Sequence, residues 1–227
     1  DAARAWLDAG AEQIIIGTQA RPDFLSELPR ERCIAALDAR DDEVVIEGWR
    51  TGTGETIESK MAELNPYVAG YLVTFVENEG RLGGTRLDRV PELVERAKGR
   101  ALTIAGGVTT AEELSALDRQ GVDAQVGMAL YTGRLGLAEA LTAPMVSDRP
   151  DGLWPTVVVD EHQRALGFCY SNLASVQEAL ETGKGVYWSR RRGLWRKGES
   201  SGNAQELIRV DLDCDRDALR FTVRQAG

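Results

Sequence analysis

The chain has 227 residues, of which 43% are hydrophobic and 28% charged, a composition typical of folded globular proteins and not of disordered ones. Its formal net charge of −9 disfavours binding to nucleic acid or anionic lipid, and no apolar run reaches the roughly 18 residues of a membrane span. Three widely spaced cysteines argue against a disulfide framework. These features predict a cytosolic protein that acts on a small anionic metabolite.

The first half of the chain alternates short apolar runs with helical stretches. A helical pattern runs from Asp1 to a glycine stop at Gly10. A second helix is predicted from Thr110 to Gln120, where Thr110 and Glu113 have the capping-box spacing. The predicted strands are Gln13–Ile16, Cys33–Leu37, Tyr71–Thr74, Ala101–Ile104 and Ala124–Val126. Short apolar strands that alternate with helices predict a parallel sheet or barrel.

Glycines follow three of these predicted strands. They occur in Gly17-Thr18, in Gly106-Gly107 and at Gly127, each time before a helical stretch. Bare backbone N–H groups at a helix N-terminus favour a bound phosphate. Glycine after a strand is also ordinary turn chemistry, and the spacing alone leaves both interpretations open.

The same segments resemble the ProFAR isomerase family of (β/α)8 barrel enzymes. The resemblance rests on residues 9–20, on residues 36–39 with Gly48-Trp49, on residues 104–108 and on residues 126–131. It implies that the three glycine segments, with Thr18, bind the two phosphate ends of a bis-phosphorylated ribotide.

Two further residues take on roles through this resemblance. Asp38 falls on the family's general acid in the fifth barrel strand, and Trp49 on a tryptophan of the following loop that can lie against the substrate. The alternatives are an aspartate that caps a turn and a tryptophan in a small hydrophobic cluster. The chain departs from the family at Phe75 and Glu79, where aspartates are common.

The resemblance begins in the helix after the third barrel strand, and the last residues alternate like a strand without a closing element. We therefore expect a chain cut at both ends. The fold expected for its first part is α/β, a partial (β/α)8 barrel that forms an open set of βα units. The strand with the family's catalytic base would be absent, so isomerase activity is expected only of the parent protein.

A domain boundary is predicted within Ala143–Gly152, which contains two prolines and a glycine and has little periodicity. We place the first domain at residues 1–147 and a smaller α+β domain at residues 148–227. In the second domain, strands Thr156–Val159 and Ala165–Tyr170 flank a polar turn. A helix from Leu173 to Glu181 follows. The sole histidine, His162, lies in the turn and is expected to be a solvated turn residue.

A basic segment, residues 187–202, contains arginines, tryptophans, serines and glycines. Arginines can bind phosphate, hydroxyls and backbone amides can complete its coordination, and indole rings can stack on a purine. Composition alone also allows a solvated basic hairpin. The order of residues closely resembles the signature of the phosphoribosyl-AMP cyclohydrolase family, with Ser200 in place of threonine. The residues assigned to substrate binding by this resemblance are Ser189, Arg190, Arg192, Trp195, Lys197, Glu199, Ser200 and Ser201.

An acidic segment follows, with aspartates at alternate positions. In an extended segment Asp213, Asp215 and Asp217 would point to one side and Cys214 to the other. Three carboxylates suit Mg²⁺, whereas a thiolate suits Zn²⁺. An acidic surface strand is the alternative, although aligned like charges repel unless a cation neutralises them.

The cyclohydrolase resemblance assigns the same two metals to these two kinds of ligand. It implies that the aspartates bind Mg²⁺ and that Cys214 shares Zn²⁺ with two cysteines of a Cys-His-x-Gly segment from the partner subunit of a homodimer. Those cysteines are expected beyond the last residue of this chain, so the chain alone is expected to be inactive.

The reaction implied by the resemblance is hydrolysis of phosphoribosyl-AMP between N1 and C6, which gives ProFAR, the substrate of the isomerase. Two other functions remain open on sequence alone. One is a non-catalytic ribotide-binding protein, and the other is a barrel that acts on another ribotide such as phosphoribosylanthranilate.

Overall fold

The computed structural model of the chain describes residues 2–225, which divide into two units between Leu135 and Gly136. The predicted boundary at residue 147 lies later than this division. The reason is that the helix Leu137–Thr142 belongs to the second unit, where Ala138 is part of the hydrophobic core. Asp1, the first residue of the helix predicted up to Gly10, and residues 226–227 lie outside the described residues.

The first unit alternates strands and helices as predicted. Its strands are β1 (Ile14–Ile16), β2 (Cys33–Arg40), β3 (Glu43–Ile46), β4 (Thr51–Thr56), β5 (Gly70–Phe75), β6 (Ala101–Ala105) and β7 (Asp123–Gln125). Its α-helices are α1 (Ala2–Asp8), α2 (Pro22–Leu25), α3 (Ile57–Leu64), α4 (Val90–Ala97), α5 (Ala111–Asp118) and α6 (Met128–Tyr131). Single 3₁₀ turns lie at Arg30–Arg32 and Asn65–Tyr67.

Five of these strands form the parallel part of one sheet, in the order β1-β2-β5-β6-β7. Among the described residues β1 pairs only with β2, and β7 only with β6, so the sheet is an open part of a (β/α) barrel, as expected. Strand β2 alternates between buried and half-buried residues from Cys33 to Ala39, because the core lies on one of its faces. Tyr71, Val73 and Phe75 of β5 are buried in the same core.

The hairpin β3–β4 was not predicted. Its strand β3 pairs with β2 in the antiparallel direction, through the pairs Asp38–Val45 and Arg40–Glu43. Two aspartates with positive φ, Asp41 and Asp42, make the turn between β2 and β3. Strand β4 consists of threonine, glycine and glutamate, so it lacks the apolar alternation from which strands are recognised.

The capping box predicted at Thr110 is present. The Thr110 hydroxyl accepts a hydrogen bond from the Glu113 backbone N–H at 3.3 Å, and Glu113 Oε2 accepts from the Thr110 N–H at 3.1 Å. The same carboxylate oxygen also accepts from the Thr109 N–H. These bonds satisfy backbone donors at the start of α5, which begins at Ala111.

The second unit is an α+β domain. Its α-helices are α7 (Leu137–Thr142) and α8 (Leu173–Thr182), and its strands are β8 (Trp154–Val159), β9 (Ala165–Ser171), β10 (Val186–Ser189), β11 (Gly193–Arg196), β12 (Gln205–Leu212) and β13 (Leu219–Gln225). The strands form one sheet in the order β11-β10-β9-β8-β13-β12. All pairs in it are antiparallel except β13 with β8, which are parallel.

The core of this unit lies between the sheet and α8. Val176 and Ala179 of the helix are buried with Tyr187, Phe221 and Val223 of the strands. Gly183 ends the helix in the left-handed conformation with φ of 64°, as the sequence predicted. His162 lies exposed in the turn between β8 and β9, where its backbone N–H donates to Asp160 Oδ1.

Across residues 2–225, every helix is too short or too polar to traverse a lipid bilayer.

Candidate functional site

Asp38 and Trp49 are in direct contact. The indole Nε1–H of Trp49 donates a hydrogen bond of 2.9 Å to Asp38 Oδ2. Asp38 is half-buried near the end of β2, and Trp49 lies in the β3–β4 turn with φ of 69°. Neither alternative, a turn cap or a hydrophobic cluster, describes this pair, because the indole is bound through its polar edge.

A cavity of about 200 Å³ lies beside this pair, and its lining includes Asp38, Gly17 and Thr18. The cations Arg21 and Lys60 also line it. Both are ion-paired. Lys60 pairs with two glutamates, and Arg21 Nε lies 3.4 Å from Asp23 Oδ1. The first predicted glycine segment and the predicted acid thus face the same space.

The predicted relation between the glycines and helix N-termini is only partly correct. Helix α2 begins at Pro22, well after Gly17, and the Thr18 hydroxyl accepts a hydrogen bond from the Glu47 N–H at 3.1 Å. Helix α5 begins at Ala111 behind its own cap, away from Gly106 and Gly107. Gly127 directly precedes a helix, but α6 has only four residues.

Gly106, Gly107 and Gly127 line a second, smaller cavity of about 30 Å³. Packing explains two of these glycines. A Cβ atom at Gly106 would lie 2.5 Å from the Phe75 carbonyl oxygen, and one at Gly107 would lie 2.2 Å from that of Gly84. Both residues also have positive φ. The turn interpretation therefore suffices for Gly106 and Gly107.

The two departures from the isomerase pattern lie in different environments. Phe75 is fully buried at the end of β5, with the Arg86 guanidinium 5.8 Å from its ring centre. Glu79 is exposed and lines the smaller cavity. A carboxylate at position 75 would be buried away from water in this core, which is costly for a charged group. Phenylalanine fits this apolar position, and an ionised aspartate would not.

In the second unit, the first part of the basic segment forms a β-hairpin. Strands β10 and β11 pair in register from Val186–Arg196 to Ser189–Gly193. The turn between them holds Arg190, Arg191 and Arg192, all exposed. The Arg192 N–H donates to the Ser189 hydroxyl at 3.3 Å. The turn therefore presents three arginines together.

An open cleft of about 620 Å³ lies at this turn and is lined by aromatic rings and the arginines. Tyr170, Trp188 and Trp195 line it together with Ser189 and Arg190–Arg192. Phe168 also lines it, 63% exposed, with its ring edge-on to Tyr170 at 5.6 Å between centres. Aromatic walls with adjacent guanidinium groups suit a ligand that has a flat base and a phosphate.

Each of two rings in the cleft is contacted by two cations. Arg192 and Lys197 lie 5.4 and 5.6 Å from the Trp195 ring centre. Arg149 and Arg190 lie 4.6 and 4.7 Å from the Tyr170 ring centre. These distances are within the range of favourable cation–π contacts.

The remaining predicted residues of the basic segment do not line the cleft. Glu199, Ser200 and Ser201 are exposed on the turn after β11 and are not part of the cleft lining. Lys197 contacts the Trp195 ring but lines a neighbouring cavity of about 70 Å³. The structure thus brings together Ser189, Arg190, Arg192 and Trp195, with Lys197 beside them.

The acidic segment is a turn between β12 and β13 and not an extended strand. Arg216 has φ of 65°, and Asp213 Oδ1 accepts hydrogen bonds of 3.0 Å from the N–H groups of Asp217 and Ala218. This turn nevertheless gathers the three predicted carboxylates. Ligand atoms of Asp213, Asp215 and Asp217 all lie within 4.8 Å of one another.

The clustered carboxylates perturb each other's proton affinity. A hydrogen bond with Asp213, loss of solvent, and the charges of Asp215, Asp213 and Asp148 raise the pKa of Asp217 to about 6. Burial opposes charge on Asp213, but hydrogen bonds from the Ala218 N–H and from the side chains of Asp215 and Asp217 outweigh it and lower the pKa of Asp213. Repulsion between these like charges thus opposes full ionisation of the cluster unless a cation offsets it.

The three cysteines differ in exposure. Cys214 is exposed, with its Sγ 3.8 Å from Asp215 Oδ1. Cys33 is buried, and desolvation raises the pKa of its thiol. Cys169 is half-buried in the cleft wall, and desolvation raises its pKa to about 12. Cys214 is therefore the thiol that is free to bind a metal.

Sequence reasoning missed the aromatic side of the cleft. Phe168, Tyr170 and Trp188 line it, yet they were not among the predicted site residues. A signal was available, because Leu166, Phe168 and Tyr170 alternate along β9 and therefore share one face. The sequence does not show which face of β9 is exposed to solvent, and a strand whose apolar face is buried in the core would have the same alternation.

Fold and site together define a chain of two enzyme-type units, an open (β/α) barrel segment followed by an α+β unit with a basic aromatic cleft and an acidic turn. Residues 1–136 match the model of the histidine biosynthesis protein family, and residues 168–227 match that of phosphoribosyl-AMP cyclohydrolase. The chain belongs to the histidine biosynthesis protein family.

Relatives of the chain include multifunctional proteins. A histidine biosynthesis trifunctional protein of Neurospora crassa is 38% identical over 97% of this chain, which spans 24% of that protein. A bifunctional histidine biosynthesis protein of Schizosaccharomyces pombe is 54% identical over 41% of this chain and 22% of its own length. A phosphoribosyl imidazole-4-carboxamide isomerase of Methanosphaerula palustris is 39% identical over 62% of each chain. The chain thus spans about a quarter of the fungal proteins.

Proposed function

We propose that the second unit holds the ribotide-binding and magnesium-binding parts of a phosphoribosyl-AMP cyclohydrolase within a longer protein of histidine biosynthesis. The observation that supports this proposal most strongly is a set of cations around the aromatic cleft. Across residues 2–225, no carboxylate pairs with Arg190, Arg191, Arg192 or Lys197. The chain has 36 acidic and 27 basic residues, so these cations are unpaired despite an excess of acids. That arrangement favours an external anion.

The proposed roles follow from chemistry and position. Arg190, Arg192 and Lys197 would bind the phosphate and ribose end of the ribotide, because guanidinium groups bind phosphate in a bidentate manner. The Trp195 ring would hold the purine by stacking. The Ser189 hydroxyl, at the base of the arginine turn, would complete the phosphate site.

The proposed metal ligands are those of the acidic turn. Asp213, Asp215 and Asp217 offer hard oxygen donors close together, which fits Mg²⁺. Cys214 is exposed and fits one position of a zinc site. A zinc ion, when bound, would activate water for attack at neutral pH. Its other protein ligands are proposed to come from the partner subunit of a homodimer.

In the proposed reaction, water adds at C6 of the purine ring and the N1–C6 bond breaks, so that one water molecule is consumed. The residues of this chain would orient the ribotide for that attack. The arginine turn would fix the phosphate, and the aromatic cleft would limit rotation of the base. The product would be ProFAR, the substrate proposed for the barrel of the parent protein.

For the first unit we propose the acid side of an isomerase site. Support comes from Asp38, which faces the same cavity as Gly17 and Thr18, and from the similarity to an isomerase over 62% of the chain. Trp49, bound to Asp38, would lie against the ribotide. Gly106, Gly107 and Gly127 are proposed for the second phosphate, in addition to the packing role of the first two.

The test uses the full-length parent protein with both substrates. Incubation with phosphoribosyl-AMP should yield ProFAR and then its isomer, and metal analysis should find zinc and magnesium. Binding of phosphoribosyl-AMP without turnover would favour a non-catalytic ribotide-binding protein. Turnover of phosphoribosylanthranilate instead of ProFAR would reassign the barrel. Sedimentation should show a dimer.

A further inference from the structure

Arg149 lies outside the residues that match the cyclohydrolase family, yet it contacts the proposed ligand cleft. The family match begins at Phe168, whereas Arg149 belongs to the segment that the sequence predicted to be a linker. Its guanidinium lies 4.6 Å from the centre of the Tyr170 ring. Tyr170 is part of the cleft wall. The linker therefore contributes to the surroundings of the site.

Arg149 is held in place from two sides. Its Nε and Nη2 donate to the two carboxylate oxygens of Asp151 at 2.9 and 2.7 Å, a bidentate arrangement. The Arg149 backbone N–H donates to the Ser147 hydroxyl, which itself donates to the Leu153 carbonyl. A guanidinium held through two of its three nitrogens loses little further freedom when it packs on a ring.

The same segment is also tied to the acidic turn. The Val146 N–H donates to the Arg216 carbonyl oxygen at 2.8 Å. Within the sheet, β10, which carries the arginine turn, and β13, which follows the acidic turn, are separated by β9 and β8. Three strand spacings correspond to roughly 14 Å. Residues 146–149 thus connect the two proposed functional regions.

Arg190 is held differently from Arg149. Among the described residues it has no carboxylate within ion-pair distance, and its guanidinium lies 4.7 Å from the centre of the Tyr170 ring. The backbone of Tyr170 is fixed by β-pairing with Pro155 and Trp188, and its ring packs edge-on against Phe168. The orientation of Arg190 therefore depends on this ring.

We propose that Tyr170, supported by Arg149, is a positioning residue that holds Arg190 for the phosphate of a nucleoside monophosphate. Asp151 neutralises Arg149, so that two guanidinium groups can share one ring with reduced repulsion. Arg190 keeps an uncompensated charge for the ligand. This inference rests on the proposed function of the cleft and adds to it a residue from outside the family match.

The probes are 5′-AMP and adenosine, which differ only in the phosphate. Binding to the 227-residue protein is followed by tryptophan fluorescence, since Trp188 and Trp195 line the cleft. We expect wild type to bind 5′-AMP more tightly than adenosine. Tyr170→Leu and Arg149→Gln should each weaken 5′-AMP binding by about two- to five-fold, the value of one exposed cation–π contact, and leave adenosine binding unchanged. Tyr170→Phe should keep most of the wild-type preference.

A double-mutant cycle isolates the coupling. If Tyr170 acts through Arg190, then Tyr170→Leu should have no further effect on 5′-AMP binding in an Arg190→Gln background. Arg164→Gln is the matched control, because Arg164 is also paired with an aspartate but lies in the β8–β9 turn. It should bind both probes like wild type.

The two proposals fail in different ways. Wild type that does not distinguish 5′-AMP from adenosine would overturn the phosphate role of the cleft, and the positioning role with it. A wild-type preference that persists in Tyr170→Leu and Arg149→Gln would overturn the positioning role alone. Additive effects of Tyr170→Leu and Arg190→Gln, or equal weakening of both probes, would do the same. Thermal unfolding of each variant, followed by circular dichroism, confirms that the measured protein is folded.

Discussion

The indole N–H of Trp49 donates its hydrogen bond to the carboxylate of Asp38, the residue that we propose as the acid of the isomerase part. The side chain expected to lie against the substrate is therefore bound to the group expected to give up a proton. A ligand that enters the adjoining cavity would compete with Trp49 for Asp38.

Asp38→Asn should abolish most isomerase turnover in the full-length protein. The amide keeps the shape and accepts the same hydrogen bond, but it cannot transfer a proton, and general acid catalysis contributes about 10²- to 10⁴-fold. We expect a loss in that range with unchanged hydrolysis of phosphoribosyl-AMP. Asp41→Asn, in the exposed β2–β3 turn, is the control. Equal isomerase rates in the two variants would remove Asp38 from the mechanism.

Arg192→Ala and Lys197→Ala should each impair phosphoribosyl-AMP turnover in the full-length protein without affecting isomerisation. Both side chains contact Trp195 and lack a carboxylate partner among the described residues, so a charge-assisted contact worth about 1.5–3 kcal/mol would be lost. Arg196→Ala is the matched control, since Arg196 lies in the same hairpin but is paired with Glu178. Steady-state kinetics are measured for both reactions. Hydrolysis of phosphoribosyl-AMP by the Arg192→Ala variant at the wild-type rate would contradict the assignment.

Asp215→Asn should weaken Mg²⁺ binding by the 227-residue chain. The neutral amide reduces the negative charge of the three-carboxylate turn, and carboxylate charge determines affinity for hard cations. Asp211→Asn is the control, because that carboxylate is already paired with Arg220 at 2.9 Å. Isothermal titration with Mg²⁺ measures both variants. A similar affinity for Asp215→Asn and wild type would show that the cluster does not hold the ion.

The cysteines should react with iodoacetamide in the order of their exposure, with Cys214 first. The reactive species is the thiolate. Because the pKa of Cys169 is raised to about 12, its thiolate fraction, and so its alkylation rate, should rise about tenfold per pH unit from pH 8 to pH 11. Peptide mapping by mass spectrometry follows each site. Complete labelling of Cys169 at pH 8 in the folded protein would show that its thiol is not desolvated.

Gly107→Ala should destabilise the first unit more than Gly99→Ala. Both glycines have φ near 80°, at 80° and 77°, so both substitutions cost about 1–2 kcal/mol of left-handed strain. A Cβ at Gly107 also meets the Gly84 carbonyl oxygen at 2.2 Å, whereas the space around Gly99 is open. We expect a further loss of about 1–3 kcal/mol in the free energy of unfolding, measured with urea. Equal losses would mean that Gly107 is not required by packing.

The sequence predicted the parallel strands well because their apolar residues are buried on the sheet. The runs at Cys33 and Tyr71 lie in β2 and β5, within a residue of their predicted starts. The β3–β4 hairpin could not be found this way, since its strand β4 reads Thr-Gly-Thr-Gly-Glu-Thr and all six of its residues are exposed or half-buried. Pairing with a neighbouring strand, and not burial, defines that element.

The candidate site was predicted in its residue types but not in its shape. Asp213, Asp215 and Asp217 were expected together, and they are, but through a turn in which Asp213 accepts backbone hydrogen bonds. Alternation along the sequence cannot distinguish a strand from such a turn. The contact of Arg149 with Tyr170 joins residues far apart in sequence, so it follows from tertiary structure alone.

The position of β8 determines where this protein can be divided. It lies between β9 and β13 in the sheet, but it precedes residue 168, where the cyclohydrolase match begins. A gene fragment cut at that match would encode only the end of β9, with β10-β11 and β12-β13, and would lack the strand that joins them. A recombination or cloning boundary that preserves the domain therefore has to lie upstream of α7, near Gly136. The segment that folds as one unit is longer than the segment that matches the cyclohydrolase family.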